Sequence, residues 1–157
     1  MTACGVHPVA TVTHQFDNCY VYGALEPTTG ASFFLALPYL NSHAFQRWLD
    51  DFATTFPESL NLLVLDNGAG HQAKAVRWPS NVLPSFLPPY SPELNPMERL
   101  WRDLKDKLAD IPAKTIAALS DALCSTIHNY SPATLQSLTS LPYCVPAVAT
   151  AQKALYG

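Results

Sequence analysis

Apolar and polar residues form blocks along the chain that predict short strands and amphipathic helices. Two apolar segments rich in aromatic residues, Tyr20–Leu25 and Ser32–Leu37, flank a Pro-Thr-Thr-Gly turn and predict a β-hairpin. Between positions 45 and 56 the apolar residues recur at helical spacing. This spacing predicts an amphipathic helix that Asn41 or Ser42 caps and that a following proline ends.

Beyond position 57 the pattern predicts two more strands and further helices. Residues 60–65 are almost all apolar, which is typical of a strand buried on both faces. The other predicted elements are a strand at residues 82–87 and helices at residues 71–77, 96–109 and 113–130. Helical connections between strands predict an α/β fold with a mixed sheet flanked by helices. We expect one domain in residues 1–130 and a C-terminal helix and tail in residues 131–157.

Composition narrows the class of protein. The chain is 48% hydrophobic and 13% charged, with a formal net charge of −3, which excludes a disordered protein. The acidic balance argues against tight, purely electrostatic binding to nucleic acid. However, six of the nine basic residues lie between positions 74 and 107, so positive charge is locally concentrated. The absence of a signal-peptide pattern, of a long apolar run and of any Cys-x-x-Cys pair favours a cytoplasmic protein with reduced cysteines.

Asp66 is the first candidate for chemistry because it follows directly after the apolar run at residues 60–65. Ligands of open α/β sheets bind beyond the carboxyl ends of strands, where an aspartate is well placed to hold a metal ion. Asp66-Asn67-Gly68 is also an ordinary turn sequence, and local sequence alone favours the turn. His71 fits either a site beside a scissile phosphate or a solvated loop.

Glu98 is the second candidate. Its position has a structural explanation, since Asn95 fits a helix N-cap and Glu98 then falls at the acidic position of a capping box. An ion pair with Arg102, four residues later, is a further structural alternative. Helical geometry also places Glu98, Arg102 and Lys105 on one flank of the helix, which suits a metal ligand beside a phosphate backbone.

Two motifs together resemble a known family. The segment Asp66-Asn67-x-x-x-His71 and the segment PPYSPELNPMERLW at residues 88–101 closely resemble the DDE transposases of bacterial insertion sequences related to the mariner superfamily. The resemblance implies an RNase H-like fold and two-metal phosphodiester chemistry with Mg²⁺ or Mn²⁺ in DNA transposition and integration. It makes Asp66 and Glu98 catalytic metal ligands, with Asn67 and His71 beside them.

The basic residues near these motifs are expected to contact DNA at transposon ends and target. They are Lys74, Arg77, Arg102 and Lys105. Trp101 is expected to pack the helix rather than to take part in chemistry.

One part of the family pattern is not found. The family's first aspartate lies on a first strand ahead of a Gly-x-x-Pro segment, and residues 5–8 resemble that later segment. We therefore expect a truncated catalytic domain that lacks the first strand and the first aspartate, which leaves enzymatic activity open. The alternatives are a non-catalytic remnant and an RNase H-like binding module. The exposed strand edges predict a homodimer or pairing with a full-length transposase, and no membrane association is expected.

Overall fold

The computed structural model describes residues 18–66 and 75–144, with residues 146, 147, 149, 150 and 153. The elements follow the order β1 (Tyr20–Leu25), β2 (Ser32–Leu37), α1 (Ser42–Thr55), β3 (Asn61–Leu65), β4 (Val82–Phe86), a 3-10 turn (Pro92–Leu94), α2 (Met97–Ala109), α3 (Ile116–His128) and α4 (Pro132–Thr139). These elements divide into two compact units. We call Phe34–Asn95, with the start of β1, the strand unit, and we call Gly23–Phe33, with the described residues from Pro96 onward, the helical unit.

Strands β1 and β2 form one two-stranded sheet. Only six residues connect them, and a parallel pair needs a crossover of a dozen or more, so the pair is the predicted hairpin. Two backbone hydrogen bonds of 2.8 Å close the connection, from Glu26 N–H to Ala31 O and from Gly30 N–H to Glu26 O. The hydroxyls of Thr28 and Thr29 donate to the Glu26 carboxylate and fix the turn further.

Helix α1 matches the predicted amphipathic helix. The Asn41 side chain caps it by accepting the Ala44 N–H at 2.9 Å. The helix ends at Thr55, two residues before Pro57. Its apolar stripe is buried and contributes five side chains to the core of the strand unit, Phe45, Trp48, Leu49, Phe52 and Ala53.

Strands β3 and β4 pair in parallel, with Leu65 opposite Phe86. The prediction that the apolar run is buried on both faces is wrong. Leu62 and Val64 are 45% and 50% exposed, and Leu83, which the register places on the same face as Leu62, is 39% exposed. Side chains alternate between the faces of a strand, so only Leu63 and Leu65 of β3 reach the core.

Part of the predicted helix at residues 71–77 lies outside the described residues. Its described portion, residues 75–77, forms a turn and irregular backbone rather than a helix.

The helical unit is built on contacts of α2 with α3 and α4. Its most deeply buried apolar side chains are at most 4% exposed and are Leu100, Leu104, Ile127, Tyr130 and Leu135. The two predicted helices at residues 96–109 and 113–130 are confirmed with slightly shorter bounds, and α4 lies in the expected C-terminal segment. In the described part of the chain, every helix is too short or too polar to cross a membrane.

The α/β class is therefore confirmed. The described residues form two small sheets and the helices α1 to α4. One sheet is an antiparallel pair of strands and the other is a parallel pair. This arrangement is compatible with an RNase H-like fold that lacks a strand there. The division into residues 1–130 and 131–157 stays a prediction.

Candidate active site

Asp66 lies at the carboxyl end of β3, and ligands of open α/β sheets bind beyond the carboxyl ends of strands. It is the first residue after β3, and it is exposed. The pairing of β3 with the β4 segment extends one residue beyond Phe86, because the Leu87 N–H donates to Leu65 O at 2.8 Å. Parallel strands end at the same edge of a sheet, so the segment that follows β4 leaves beside Asp66.

That segment carries a residue that the sequence analysis did not single out. Tyr90 has a φ of 59°, which places it in the left-handed region, and its side chain is fully exposed. Prolines at positions 88, 89 and 92 surround it, so it can join neither a strand nor a helix. An aromatic residue confined between prolines was the available sequence signal.

Arg77 is also in the strand unit. The amide of Gln46 on α1 holds its backbone, since Gln46 Nε2 donates to Arg77 O at 2.9 Å and Gln46 Oε1 accepts the Arg77 N–H at 2.7 Å. Four residues later, the amide of Asn81 donates to Ala53 O and Phe56 O at the end of α1. The connection to β4 is thus anchored along α1, while the guanidinium of Arg77 is exposed.

Glu98 lies in the first turn of α2, in the helical unit. The capping-box prediction is wrong, because Pro96 occupies the N-cap position without a side-chain cap hydrogen bond and the helix begins at Met97. Glu98 therefore stands at the second helical position. Its carboxylate is exposed, and the predicted ion pair with Arg102 does not form among the described residues.

Five of the seven charged residues of α2 form two sets on different faces, and the other two, Arg99 and Asp106, lie at about 80–100° from Glu98. Glu98, Arg102 and Lys105 lie within about 60° of one another at about 100° per residue. All three are exposed and have no ion-pair partner in the part of the chain that the structure describes. Asp103 and Lys107 lie at about 140–180° from Glu98 and pair with each other at 2.6 Å.

The second set is anchored by Tyr130, which the sequence analysis did not single out either. Its hydroxyl donates to Asp103 Oδ2 at 2.5 Å, and Lys107 Nζ lies 4.2 Å from the centre of its ring. Burial and the neighbouring Asp103 carboxylate raise the pKa of Tyr130 well above its ordinary value. Hydrogen bonds from Lys107 and Tyr130 lower the pKa of Asp103. This cluster gives two charges of α2 a structural role. Five others have no ion-pair partner among the described residues, namely Glu98, Arg99, Arg102, Lys105 and Asp106.

The structure brings some predicted site residues together and not others. Glu98, Arg102 and Lys105 share one face of α2, whereas Asp66 and Arg77 belong to the strand unit. The remaining predicted residues, Asn67, His71 and Lys74, lie outside the described residues.

The donor chemistry of the two acids fits a hard divalent cation. Mg²⁺ prefers oxygen ligands, and a carboxylate such as that of Asp66 or Glu98, each taken by itself, is a ligand of this kind. Among residues 18–66 and 75–144 there is no group of three His, Cys, Asp or Glu side chains that could hold a metal ion.

The described part of the chain is a mixed α/β structure with one exposed acid directly after β3 and another in the first turn of α2. A sequence model of the family described as DDE superfamily endonuclease matches residues 2–120, and the chain belongs to that family. Members act on DNA and generally depend on divalent metal ions.

A curated relative shares part of this sequence. The chain is 35% identical over 88 residues to the uncharacterized protein y4pE/y4sA of Sinorhizobium fredii (strain NBRC 101917 / NGR234). The aligned region covers 55% of this chain and 65% of the relative.

Proposed function

We propose that this chain acts as the catalytic part of a transposase of a bacterial insertion sequence, related to the mariner superfamily. The reaction is cleavage of DNA at transposon ends and transfer of the strand to a target. One observation carries the proposal. Glu98, Arg102 and Lys105 are exposed on one face of α2 and unpaired among the described residues, whereas Asp103 and Lys107 of the same helix are paired.

Each residue has a role in this proposal. Asp66 and Glu98 hold divalent cations, Mg²⁺ or Mn²⁺, with Asn67 and His71 beside them. Ions held there would supply Lewis-acid activation of the attacking hydroxyl and stabilisation of the leaving oxygen in an in-line phosphodiester displacement. Arg77, Arg102, Lys105 and Lys74 contact the DNA backbone, which fixes the position of the strand without reading its sequence.

Metal binding tests the roles of the two acids. We expect Mn²⁺ titration calorimetry of the whole chain to show binding that Asp66→Asn and Glu98→Gln each weaken. Asp106→Asn is the matched control, because Asp106 is an exposed acid on the same helix. Binding that neither substitution changes, or that Asp106→Asn weakens equally, contradicts the assignment. Nicking of labelled DNA by the parent chain in Mg²⁺ then tests activity itself.

Salt dependence tests the basic residues. The logarithm of the DNA-binding constant falls with the logarithm of salt concentration by about 0.9 for each neutralised phosphate of B-DNA. Arg102→Ala or Lys105→Ala should therefore reduce this slope by about 1. Lys107→Ala should leave the slope unchanged, because Lys107 is already paired with Asp103. Equal effects of all three substitutions would argue against a DNA-binding face at Glu98.

A second candidate function is a non-catalytic RNase H-like module that binds another copy of itself or another transposase chain. The exposed apolar face of β3 and β4, formed by Leu62, Val64 and Leu83, favours it. Sedimentation equilibrium of the parent and of Leu62→Lys tests this candidate. A dimer that the substitution weakens supports it, and a monomer up to high micromolar concentration counts against it.

A further inference from the structure

The loop after β4 exposes an aromatic ring at a backbone geometry that tyrosine rarely adopts. Tyr90 is 101% exposed, the highest value among the large hydrophobic residues that the structure describes as exposed, and its φ is 59°. A left-handed conformation costs a bulky residue free energy, and such strain persists where the surroundings enforce it, often at functional sites. Nothing in the core of the strand unit accounts for the ring, because it packs against no described residue.

The surroundings that enforce this geometry are rigid. Two prolines precede Tyr90 and another follows Ser91. The Ser91 hydroxyl donates to Pro89 O at 3.4 Å, and Leu94 N–H donates to Ser91 O at 3.1 Å at the start of the 3-10 turn. A ring held by such a loop loses little conformational entropy when it binds a ligand, which favours a binding role.

The loop also lies beside Asp66. Leu87 is hydrogen-bonded to Leu65, the residue before Asp66, and Tyr90 follows Leu87 by three residues. Three extended residues span at most about 11 Å, and neighbouring strands lie about 5 Å apart. The Tyr90 Cα is therefore within about 16 Å of the Asp66 Cα, which is about five base steps of B-DNA at 3.4 Å each.

The chemistry of the ring limits its ligand. A neutral phenol offers a phosphate one hydrogen bond and no charge. A single ring next to exposed prolines offers far less than the roughly 800 Å² per partner of an ordinary protein interface. A nucleobase is different, because stacking on one aromatic ring is favourable for every base when that base is unpaired.

We propose that Tyr90 is a stacking platform for an unpaired DNA base next to the phosphate served by Asp66. This inference rests on the proposed function for its DNA substrate. It adds a substrate requirement to that function, namely a frayed, extrahelical or single-stranded base within a few steps of the reacting phosphate.

The test uses duplex DNA with one unpaired 2-aminopurine and the same duplex with that base paired, both without divalent metal so that no strand is cut. Binding to the unpaired probe should quench its fluorescence. Tyr90→Ala should remove the quenching and weaken binding to this probe by about 5- to 150-fold, the equivalent of about 1–3 kcal/mol per stacked base. Binding to the paired duplex should stay unchanged.

Three further variants separate stacking from other effects of the residue. These effects are hydrogen bonding by the hydroxyl, relief of backbone strain and a general effect of exposed tyrosines. Tyr90→Phe keeps the ring and should bind like the parent. Tyr90→Gly relieves the left-handed strain, so it should be at least as stable as Tyr90→Ala and yet lose the quenching. Tyr39→Ala is the matched control, since Tyr39 is a 57% exposed tyrosine of the same unit and its removal should change neither probe.

Several results would overturn the proposal. Quenching that persists in Tyr90→Ala would do so, as would equal losses of binding to both probes, or a change in sedimentation without a change in DNA binding. Manganese calorimetry keeps this outcome distinct from the proposed function. Tyr90→Ala should retain metal binding, whereas Asp66→Asn and Glu98→Gln should each weaken metal binding and retain the quenching.

Discussion

Gly30 offers the sharpest test of the packing in the helical unit. Its φ is +76°, and a Cβ atom added to it would lie 2.7 Å from the carbonyl carbon of Pro132 and nearer still to the Pro132 oxygen. Glycine alone avoids both problems, since it adopts positive φ without steric cost and has no Cβ. The substitution Gly30→Ala therefore perturbs a close approach of the β1–β2 connection to the first turn of α4.

The expected loss has two parts. Placing alanine in the left-handed region costs about 1–2 kcal/mol, and forcing an extra carbon into close-packed atoms costs about 1–3 kcal/mol. The connection cannot simply move away, because Gln136 Nε2 donates to Thr28 O at 2.5 Å and Ser140 Oγ donates to Pro27 O at 3.2 Å. We expect Gly30→Ala to lower the free energy of unfolding by about 3 kcal/mol and Tm by about 6–12 °C.

Urea denaturation followed by circular dichroism measures this loss. Gly30→Asn is the matched variant, because asparagine tolerates positive φ better than alanine but also carries a Cβ. If the approach to Pro132 dominates, the two variants should be destabilised to similar extents. If backbone strain dominates, Gly30→Asn should be clearly milder. A loss below about 1 kcal/mol for Gly30→Ala would refute the close packing of this loop on α4.

Three other substitutions test hydrogen bonding and packing in the helical unit and in the strand unit. Tyr130→Phe removes the hydrogen bond to Asp103, so the free energy of unfolding in urea should fall by about 1–2 kcal/mol at neutral pH. Because the pKa of Tyr130 is raised, its stabilising contribution is present below the ordinary value of 10.0 and is lost as pH rises above it, so the variant should lack that alkaline decline in melts at pH 8–11. Asn81→Ala leaves two carbonyls at the end of α1 without their donor, and chemical denaturation should show a loss of about 1–3 kcal/mol. Leu100→Ala empties a site that is 1% exposed, and calorimetry should report a loss of about 2–5 kcal/mol.

Local signals predicted the elements well where one stretch of sequence contains all the relevant information. The stripe of α1, its cap at Asn41 and the hairpin strands depend on neighbours within a few residues, and the structure matches them. The burial of β3 depends on which distant segments cover each face. An apolar run indicates a tendency to be buried but not a partner, so the exposure of Leu62 and Val64 could not be predicted from it.

The candidate site shows the same limit. Spacing placed Glu98, Arg102 and Lys105 on one flank of α2, and they lie there. Spacing allowed a pair between Glu98 and Arg102 as readily as one between Asp103 and Lys107, and only the second forms. The difference is Tyr130, which follows α3. Its hydroxyl donates to Asp103 Oδ2, the same oxygen that pairs with Lys107. A contact so distant in sequence leaves no local pattern.

The exposed face of β3 and β4 sets the free energy of association that is available to the binding-module alternative. Burying a whole Leu or Val side chain is worth about 1.5–3 kcal/mol. Leu62, Val64 and Leu83 are each 39–50% exposed, so covering them on one chain contributes about 2–4 kcal/mol, and about 4–8 kcal/mol on two identical chains. Association costs about 4–15 kcal/mol before any net affinity.

This face alone therefore cannot hold a micromolar dimer, which needs a net −8 kcal/mol or so. Additional contact must come from elsewhere, and the available source is a strand edge. In the described residues β3 and β4 form a sheet of only two strands, so each has one edge whose backbone groups lack a strand partner. A dimer built by adding a strand at that edge would survive Leu62→Lys in part, whereas one built on the face alone would not form even in the parent. Contact of Arg102 and Lys105 with a phosphate backbone requires no such strand pairing, and this difference favours the catalytic interpretation.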